Sequence, residues 1–180
     1  MRKKLKKRNK MIGVALVIIV LLFGIITVKF IQYEKIIEDT ERTWLITQYG
    51  PRDVNSMFYT LYGGKGQLIV VDGGWTEDAD FVRQTIKEMG GKVDAWILTH
   101  PHQDHIGAFN AIYSDLQGIE IKEVYTVDMP SPKLCQERAH WDSVDTYNDF
   151  LDLNVKNLKY VYPGDELNIC GLKVDIYNAY

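Results

Sequence analysis

Apolar and polar positions follow two different periods after residue 43, and they predict strands and helices in turn. Runs rich in aromatic and β-branched residues predict strands at 44–49, 57–62, 68–71, 95–98 and 119–127. Apolar residues three and four apart predict helices over 76–89 and around 109–116. The first three strands, joined by short turns, favour an antiparallel start to a sheet. The alternation of strand and helix that follows is typical of crossover connections and an α/β fold.

The later part of the chain is less regular. Residues 128–140 contain two prolines and no periodicity, so we expect a long loop that helps to form the rim of a substrate site. A helix from Trp141 is expected to carry Val144, Tyr147 and Leu151 on its apolar face. The turn at 163–165 then leads into two short strands, predicted at 166–170 and 172–177.

The N-terminus has the pattern of a membrane anchor. Residues 1–10 carry seven basic residues and no acid, and residues 11–28 carry no charge. A helix over 11–28 would cover about 27 Å, close to the thickness of a hydrocarbon core. The basic flank favours a cytoplasmic tail at 1–10, a single-pass anchor at 11–28, a juxtamembrane stalk at 29–42 and an extracellular domain at 43–180. A cleaved signal peptide is the alternative, but no small-x-small site follows the apolar run.

Charge limits the expected partners of that domain. The whole chain has 21 basic and 24 acidic residues, and residues 11–180 keep only 14 of the basic ones. The resulting net charge of −10 does not favour nucleic acid, although it does not exclude it, because metals can supply positive charge locally. We therefore expect a small-molecule or cell-envelope substrate. Cys135 and Cys170 either form a disulfide outside the cell or remain free thiols.

The candidate chemistry lies in residues 99–105, Thr-His-Pro-His-Gln-Asp-His, directly after the predicted strand at 95–98. His100, His102, Asp104 and His105 place four potential ligands within six consecutive residues. Imidazole and carboxylate together suit zinc and neighbouring divalent ions. Alternate residues can face one side of an extended loop while adjacent residues turn to another, so this one loop could serve two metal ions.

These four residues resemble the signature loop of the metallo-β-lactamase-fold superfamily, and 67–74, a strand followed by Asp72-Gly73-Gly74, resembles the turn that precedes it. The resemblance covers about 44–180 and implies an αβ/βα sandwich. It also implies that His100 and His102 bind one Zn²⁺ while Asp104 and His105 bind a second, with Mn²⁺ or Fe²⁺ possible. Asp104 is then the candidate catalytic residue, and Asp72 supports the loop by hydrogen bonding. The implied activity is hydrolysis of an ester or phosphodiester by a metal-held hydroxide.

The rest of the family's ligand set has no clear match in this sequence. The family adds a third histidine, a bridging aspartate and a final histidine farther along the chain. His140 is expected to be a surface residue, and Gly164-Asp165 a plain turn. We therefore expect only the first half of the sandwich, as part of a longer hydrolase, and impaired catalysis in this chain. The alternative is a non-catalytic truncated or degenerate domain with a binding or structural role.

Overall fold

The computed structural model describes residues 2–41, 43–50 and 57–178. Within helix α1 the side chains at 3–10, 12, 14, 15, 17 and 39–41 are also outside the described set. The chain divides into two units, Met1–Thr43 and Trp44–Tyr180. The predicted turn that includes Pro51, Arg52 and Asp53 lies outside the described residues.

The first unit is one helix, α1 (Arg2–Glu41). It runs without a break through the described residues of the predicted tail, anchor and stalk. Within the described residues, no helix contains a segment long and apolar enough to cross a bilayer. The predicted membrane span at 11–28 is therefore not supported by the structure, and four of its side chains lie outside the described set.

The second unit is built on a six-stranded mixed sheet in the order β1-β2-β3-β5-β7-β8. Its strands are β1 (Trp44–Tyr49), β2 (Phe58–Gly63), β3 (Leu68–Val71), β5 (Ala95–Leu98), β7 (Val124–Val127) and β8 (Leu158–Val161). The first three are antiparallel neighbours, as the short turns predicted, and β3, β5, β7 and β8 are parallel. The carboxyl ends of these parallel strands therefore meet at one edge of the sheet.

Side chains that alternate along the strands divide the core between the two faces of the sheet. Trp96 and Leu98 of β5 pack in the cluster that includes Val82 and Phe109 of the helices, whereas Ala95 packs in a separate cluster on the opposite face. The helical layer is formed by α2 (Ala79–Glu88), α3 (Gln103–Ser114) and α5 (Val144–Asp152), and a 3-10 turn, Thr76–Asp78, precedes α2. The opposite face packs against the hairpin of β9 (Glu166–Ile169) and β10 (Leu172–Asp175). The mixed α/β class is confirmed.

Several local predictions differ from the structure. The strand expected over 119–127 is two strands, β6 (Glu120–Ile121), which pairs with β4 (Lys92–Val93), and β7 in the main sheet. The loop expected over 128–140 contains α4 (Pro132–Arg138). β8 was not predicted, because its residues alternate too little to stand out. Leu151, placed on the apolar face of α5, is 48 % exposed, whereas Tyr147 and Phe150 are buried. Cys135 and Cys170 are free thiols.

Candidate metal centre

Three loops that follow parallel strands form the candidate site. Asp72 follows β3, Thr99 begins the loop after β5, and Asp128 follows β7. Because β3, β5 and β7 are parallel neighbours, these loops lie side by side at the carboxyl edge of the sheet. Open α/β sheets bind their ligands at this edge. The same sheet topology that buries the apolar strands thus brings the polar residues together.

Two of the three histidines of the signature loop, His102 and His105, lie against the third, His100. The ring centroid of His100 lies 4.6 Å from that of His102 and 3.7 Å from that of His105. His102 is the N-cap of α3, and Asp104 and His105 are in its first turn. Part of the predicted loop is therefore helical, which turns His105 back toward His100. Asp104 Oδ2 lies 3.7 Å from His105 Nε2.

Asp72 holds this loop from the neighbouring strand. Its carboxylate accepts hydrogen bonds from the Thr99 amide at 2.9 Å and the Thr99 hydroxyl at 2.8 Å. His105 Nδ1 donates to Asp72 Oδ2 at 2.8 Å. A carboxylate that accepts from one ring nitrogen sets the orientation of the imidazole and leaves the other nitrogen for a ligand. These contacts are those that a supporting role for Asp72 requires.

The backbone of Asp72 is itself in an unusual conformation, with a φ of 57°. Asp is one of the few residues that adopt the left-handed region readily. The Asp72 carbonyl accepts from Trp96 Nε1 at 3.0 Å, and the Asp72 amide donates to the Ile97 carbonyl at 2.8 Å. The surrounding strands therefore hold the residue in the conformation that aims its carboxylate at Thr99 and His105.

The local environment sets different proton affinities in two of the histidines. Burial, followed by the charges of His105 and His102, lowers the pKa of His100 from 6.5 to about 4. Burial also disfavours protonation of His105, but the hydrogen bond to Asp72 and the charges of Asp72, Asp104 and Asp142 outweigh it and raise the pKa of His105. His100 is therefore neutral near pH 7, which is the form that binds a metal ion.

Close packing of α3 against the loop after β3 fixes the start of this helix. A Cβ atom at Gly107 would lie 2.6 Å from the Thr76 backbone nitrogen, and the Ala108 amide donates to the Gly74 carbonyl at 3.1 Å. At the helix N-terminus the Gln103 amide donates to Asp142 Oδ1 at 3.3 Å. An acid in this position is also favoured by the helix dipole. Sequence reasoning missed Asp142, because its partner lies 39 positions away and no local pattern marks it.

The donors fit a divalent metal ion in kind and in proximity, since imidazole and carboxylate groups lie within one cluster and the Asp72 contact to His105 is typical of metal-binding histidines. Their atoms do not converge as placed: within the described residues, no group of three or more His, Cys, Asp or Glu side chains is arranged to hold an ion. Coordination would require rotation of the side chains.

Two residues considered as ligands from the sequence lie elsewhere. His140 is exposed, and its ring contacts Trp141, with the centroids 5.2 Å apart. Asp165 lies in the turn before β9, where its carboxylate accepts from the Tyr162 amide at 2.8 Å. The structure brings together His100, His102, Asp104, His105 and Asp72.

Comparison with known proteins agrees with the motif. Residues 49–133 match the family model described as the metallo-beta-lactamase superfamily. The hydroxyacylglutathione hydrolase of Aliivibrio fischeri strain MJ11 is 29 % identical over 121 residues, which cover 65 % of this chain and 46 % of that protein. The RNase aCSPSF2 of Saccharolobus solfataricus is 26 % identical over 137 residues, which cover 72 % of this chain and 27 % of that protein. The chain thus spans less than half the length of these relatives.

Solved structures with a similar arrangement include a metallo-beta-lactamase from Staphylococcus aureus subsp. aureus COL. It has a TM-score of 0.49 and 12 % identity, over 76 % of this chain and 34 % of that chain. A flavoprotein from Thermotoga maritima has a TM-score of 0.40 and 15 % identity, over 73 % of this chain and 36 % of that chain.

Proposed function

The chain contains a domain of the metallo-β-lactamase superfamily, and from that premise we propose that it is a metal-dependent hydrolase of an ester or phosphodiester. The observation that carries the proposal is the cluster of His100, His102 and His105 at the carboxyl edge of the sheet, with His105 bonded to Asp72. The two curated relatives are named as a hydrolase and an RNase, which supports hydrolysis as the reaction class.

In this proposal His100 and His102 hold one Zn²⁺, and Asp104 and His105 hold a second. Mn²⁺ or Fe²⁺ are alternatives, since carboxylate suits Mn²⁺ and imidazole suits Fe²⁺. The metal ions would supply Lewis acidity and would make bound water acidic enough to act near neutral pH. Asp72 orients His105, and the low pKa of His100 keeps that imidazole neutral. Asp104, whose side chain is 32 % exposed, is the candidate catalytic residue.

The test combines metal content with activity. The purified full chain is loaded with zinc, and metal is counted by mass spectrometry. Hydrolysis of 4-nitrophenyl acetate and bis(4-nitrophenyl) phosphate is then followed. His102→Ala should lower the zinc content and abolish activity, whereas His140→Ala, which removes an exposed histidine outside the cluster, should change neither. Equal loss in the two variants, or activity that survives removal of zinc, would refute the proposal.

A second candidate is the non-catalytic domain, with a binding or structural role. The observation that favours it is that no three donors within the described residues are arranged to hold an ion. The same experiment separates the candidates. A chain that binds zinc through His102 but hydrolyses neither substrate is a binding domain, and slow zinc-dependent turnover is the impaired enzyme.

Location at the cell membrane, with Trp44–Tyr180 outside, stays a proposal that is supported by the sequence alone, through the basic residues 1–10 and the uncharged residues 11–28. Protease added to intact cells should remove the domain if this orientation is right. Full protection of the domain, or its release from membranes by alkaline washing, would contradict the proposal.

A further inference from the structure

A cavity of about 400 Å³ opens beside the histidine cluster. The loop after β5 contributes Pro101 and His102 to its wall, and the loop after β7 contributes Met129 and Pro130. The helix α4, at a position where the sequence predicted only a loop, contributes Leu134, Cys135 and Arg138. The volume is within the range of small-molecule sites, about 300–1,000 Å³.

The lining of the cavity is mostly apolar. Six of its nine lining residues have apolar side chains, namely Pro101, Met129, Pro130, Leu134, Cys135 and Ala139. The two that carry full charge, Asp128 and Arg138, are of opposite sign. The Arg138 guanidinium would attract an anionic group and the Asp128 carboxylate would repel it. A cationic group would be repelled by Arg138 and attracted by Asp128. The net charge of the wall therefore favours neither kind of group.

His102 belongs to both the cavity and the candidate metal centre. A substrate whose scissile bond lies at the histidines can therefore extend directly into the cavity. Burial of an apolar group there would be driven by removal of its surface, and that of the lining, from water.

We propose that this cavity binds an uncharged apolar arm of the substrate, so that the preferred substrates are esters with a medium-length aliphatic acyl chain. The inference rests on the proposed function for the reaction, but the binding of the arm can be tested without it. Leu134 and Met129 are the specificity-determining residues, because they are the two largest apolar residues of the lining, one from α4 and one from the loop after β7.

Binding is measured first, with probes that cannot be hydrolysed. The full chain is labelled with ¹³C at the methionine methyl groups, of which there are five, and Met129→Leu assigns the relevant signal. Ethanol, butan-1-ol and hexan-1-ol are titrated in turn. The Met129 signal should shift, and the Kd should fall by about fourfold for each added methylene that is buried. Hexanoate should bind no more tightly than hexan-1-ol.

Leu134→Asp should weaken hexan-1-ol binding at least tenfold, since it places a charge in the wall. Leu151→Asp is the matched control, because Leu151 is a half-exposed leucine on α5 that does not line the cavity. Far-ultraviolet circular dichroism checks that both variants fold. If Leu134→Asp does not fold, the series of alcohols on the unaltered chain still decides the question.

Hydrolysis is measured second, on the zinc-loaded chain with the 4-nitrophenyl esters of acetate, butyrate and hexanoate. The value of kcat/KM should rise with chain length in parallel with the affinity for the alcohols. Three results would overturn the inference and leave the proposed function standing. They are a Met129 signal that does not shift on addition of the alcohols, a Kd that does not depend on the chain length of the alcohol, and binding of hexanoate that is tighter than binding of hexan-1-ol. Binding of hexan-1-ol with no zinc-dependent hydrolysis of these esters or of bis(4-nitrophenyl) phosphate would refute the proposed function and preserve the cavity as an apolar binding site.

Discussion

Asp72 links the sheet to the candidate centre through a single side chain. Its carboxylate is buried and accepts from Thr99 and His105, and its backbone is in the left-handed region. Sequence reasoning singled out the residue and proposed a supporting role for it, because Asp-Gly-Gly after an apolar strand is a recognisable pattern. It could not give the number of contacts, which depends on the register of β3 against β5.

Asp72→Ala should lower the free energy of unfolding by about 2–4 kcal/mol, because the Thr99 amide and hydroxyl and His105 lose their partner. Zinc affinity should fall about 10–100-fold, since the orientation of His105 is no longer set. Urea unfolding and calorimetric zinc titration measure the two effects. Asp145→Ala, at an exposed aspartate of α5, is the control. Unchanged zinc affinity in Asp72→Ala would contradict the supporting role.

Glu123 gives a residue-scale prediction that is independent of metal. Hydrogen bonds from Lys159 and Tyr125 lower its pKa below 4.5. A carboxyl group with a lowered pKa stabilises the fold above its unfolded pKa, and this contribution disappears as the pH falls through the folded value. Because the Lys159 pair is partly exposed, Glu123→Gln should cost only about 0.5–1 kcal/mol at pH 7.

The difference between Glu123→Gln and the unaltered chain should shrink as the pH is lowered from 7 to below 4. Urea unfolding at a series of pH values measures it, with Glu77→Gln at an exposed position as the control. A difference that grows toward acid pH would show that the carboxylate is not stabilised by Lys159 and Tyr125.

At the scale of elements, α4 shows where local pattern reading fell short. The segment has no apolar period, which favoured a loop, but Ser131-Pro132 is a helix start, with Ser at the N-cap and Pro in the first turn. The Ser131 hydroxyl accepts from the Leu134 amide at 3.3 Å. That signal was present in the sequence and outweighs the lack of periodicity, since a short helix on the rim of a cavity has no continuous apolar face to show.

Ser131→Ala should lower the free energy of unfolding by about 1 kcal/mol, because it removes that cap. Ser143→Ala is a matched control, since Ser143 is the N-cap of α5 but its side chain makes no capping hydrogen bond. Thermal or urea unfolding compares the two. Equal effects of the two substitutions would mean that the Ser131 hydroxyl does not cap α4.

The contact of α3 with the loop after β3 is a second test at this scale. By helix propensity alone, Gly107→Ala should stabilise the protein by up to about 1 kcal/mol. The added methyl group would lie 2.6 Å from the Thr76 backbone nitrogen, so we expect instead a loss of about 1–3 kcal/mol and lower zinc affinity. A gain in stability on urea unfolding would contradict the close packing.

At the scale of the whole domain, the features that the sequence predicted have local signals, and the features that it did not predict depend on contacts between distant residues. The strands β3 and β5 and the histidine-rich motif at 99–105 were recognisable because apolar runs and histidine spacing are local signals. The contribution of Asp142, the edge strand β8 and the cavity under α4 depend on contacts between distant parts of the chain. Asp142 contacts the start of α3, β8 pairs with β7, and the cavity is lined by the loops after β5 and β7 and by α4, so no single segment carries these features.

Anomalous diffraction at the zinc absorption edge, from crystals of the full chain grown with zinc, tests the metal centre most directly. We predict strong peaks within bonding distance of His100 and His102 and of Asp104 and His105, with Asp72 still bonded to His105 Nδ1. Zinc found only at surface positions such as His140, with the three clustered imidazoles unliganded, would contradict the assignment of this loop as a metal site.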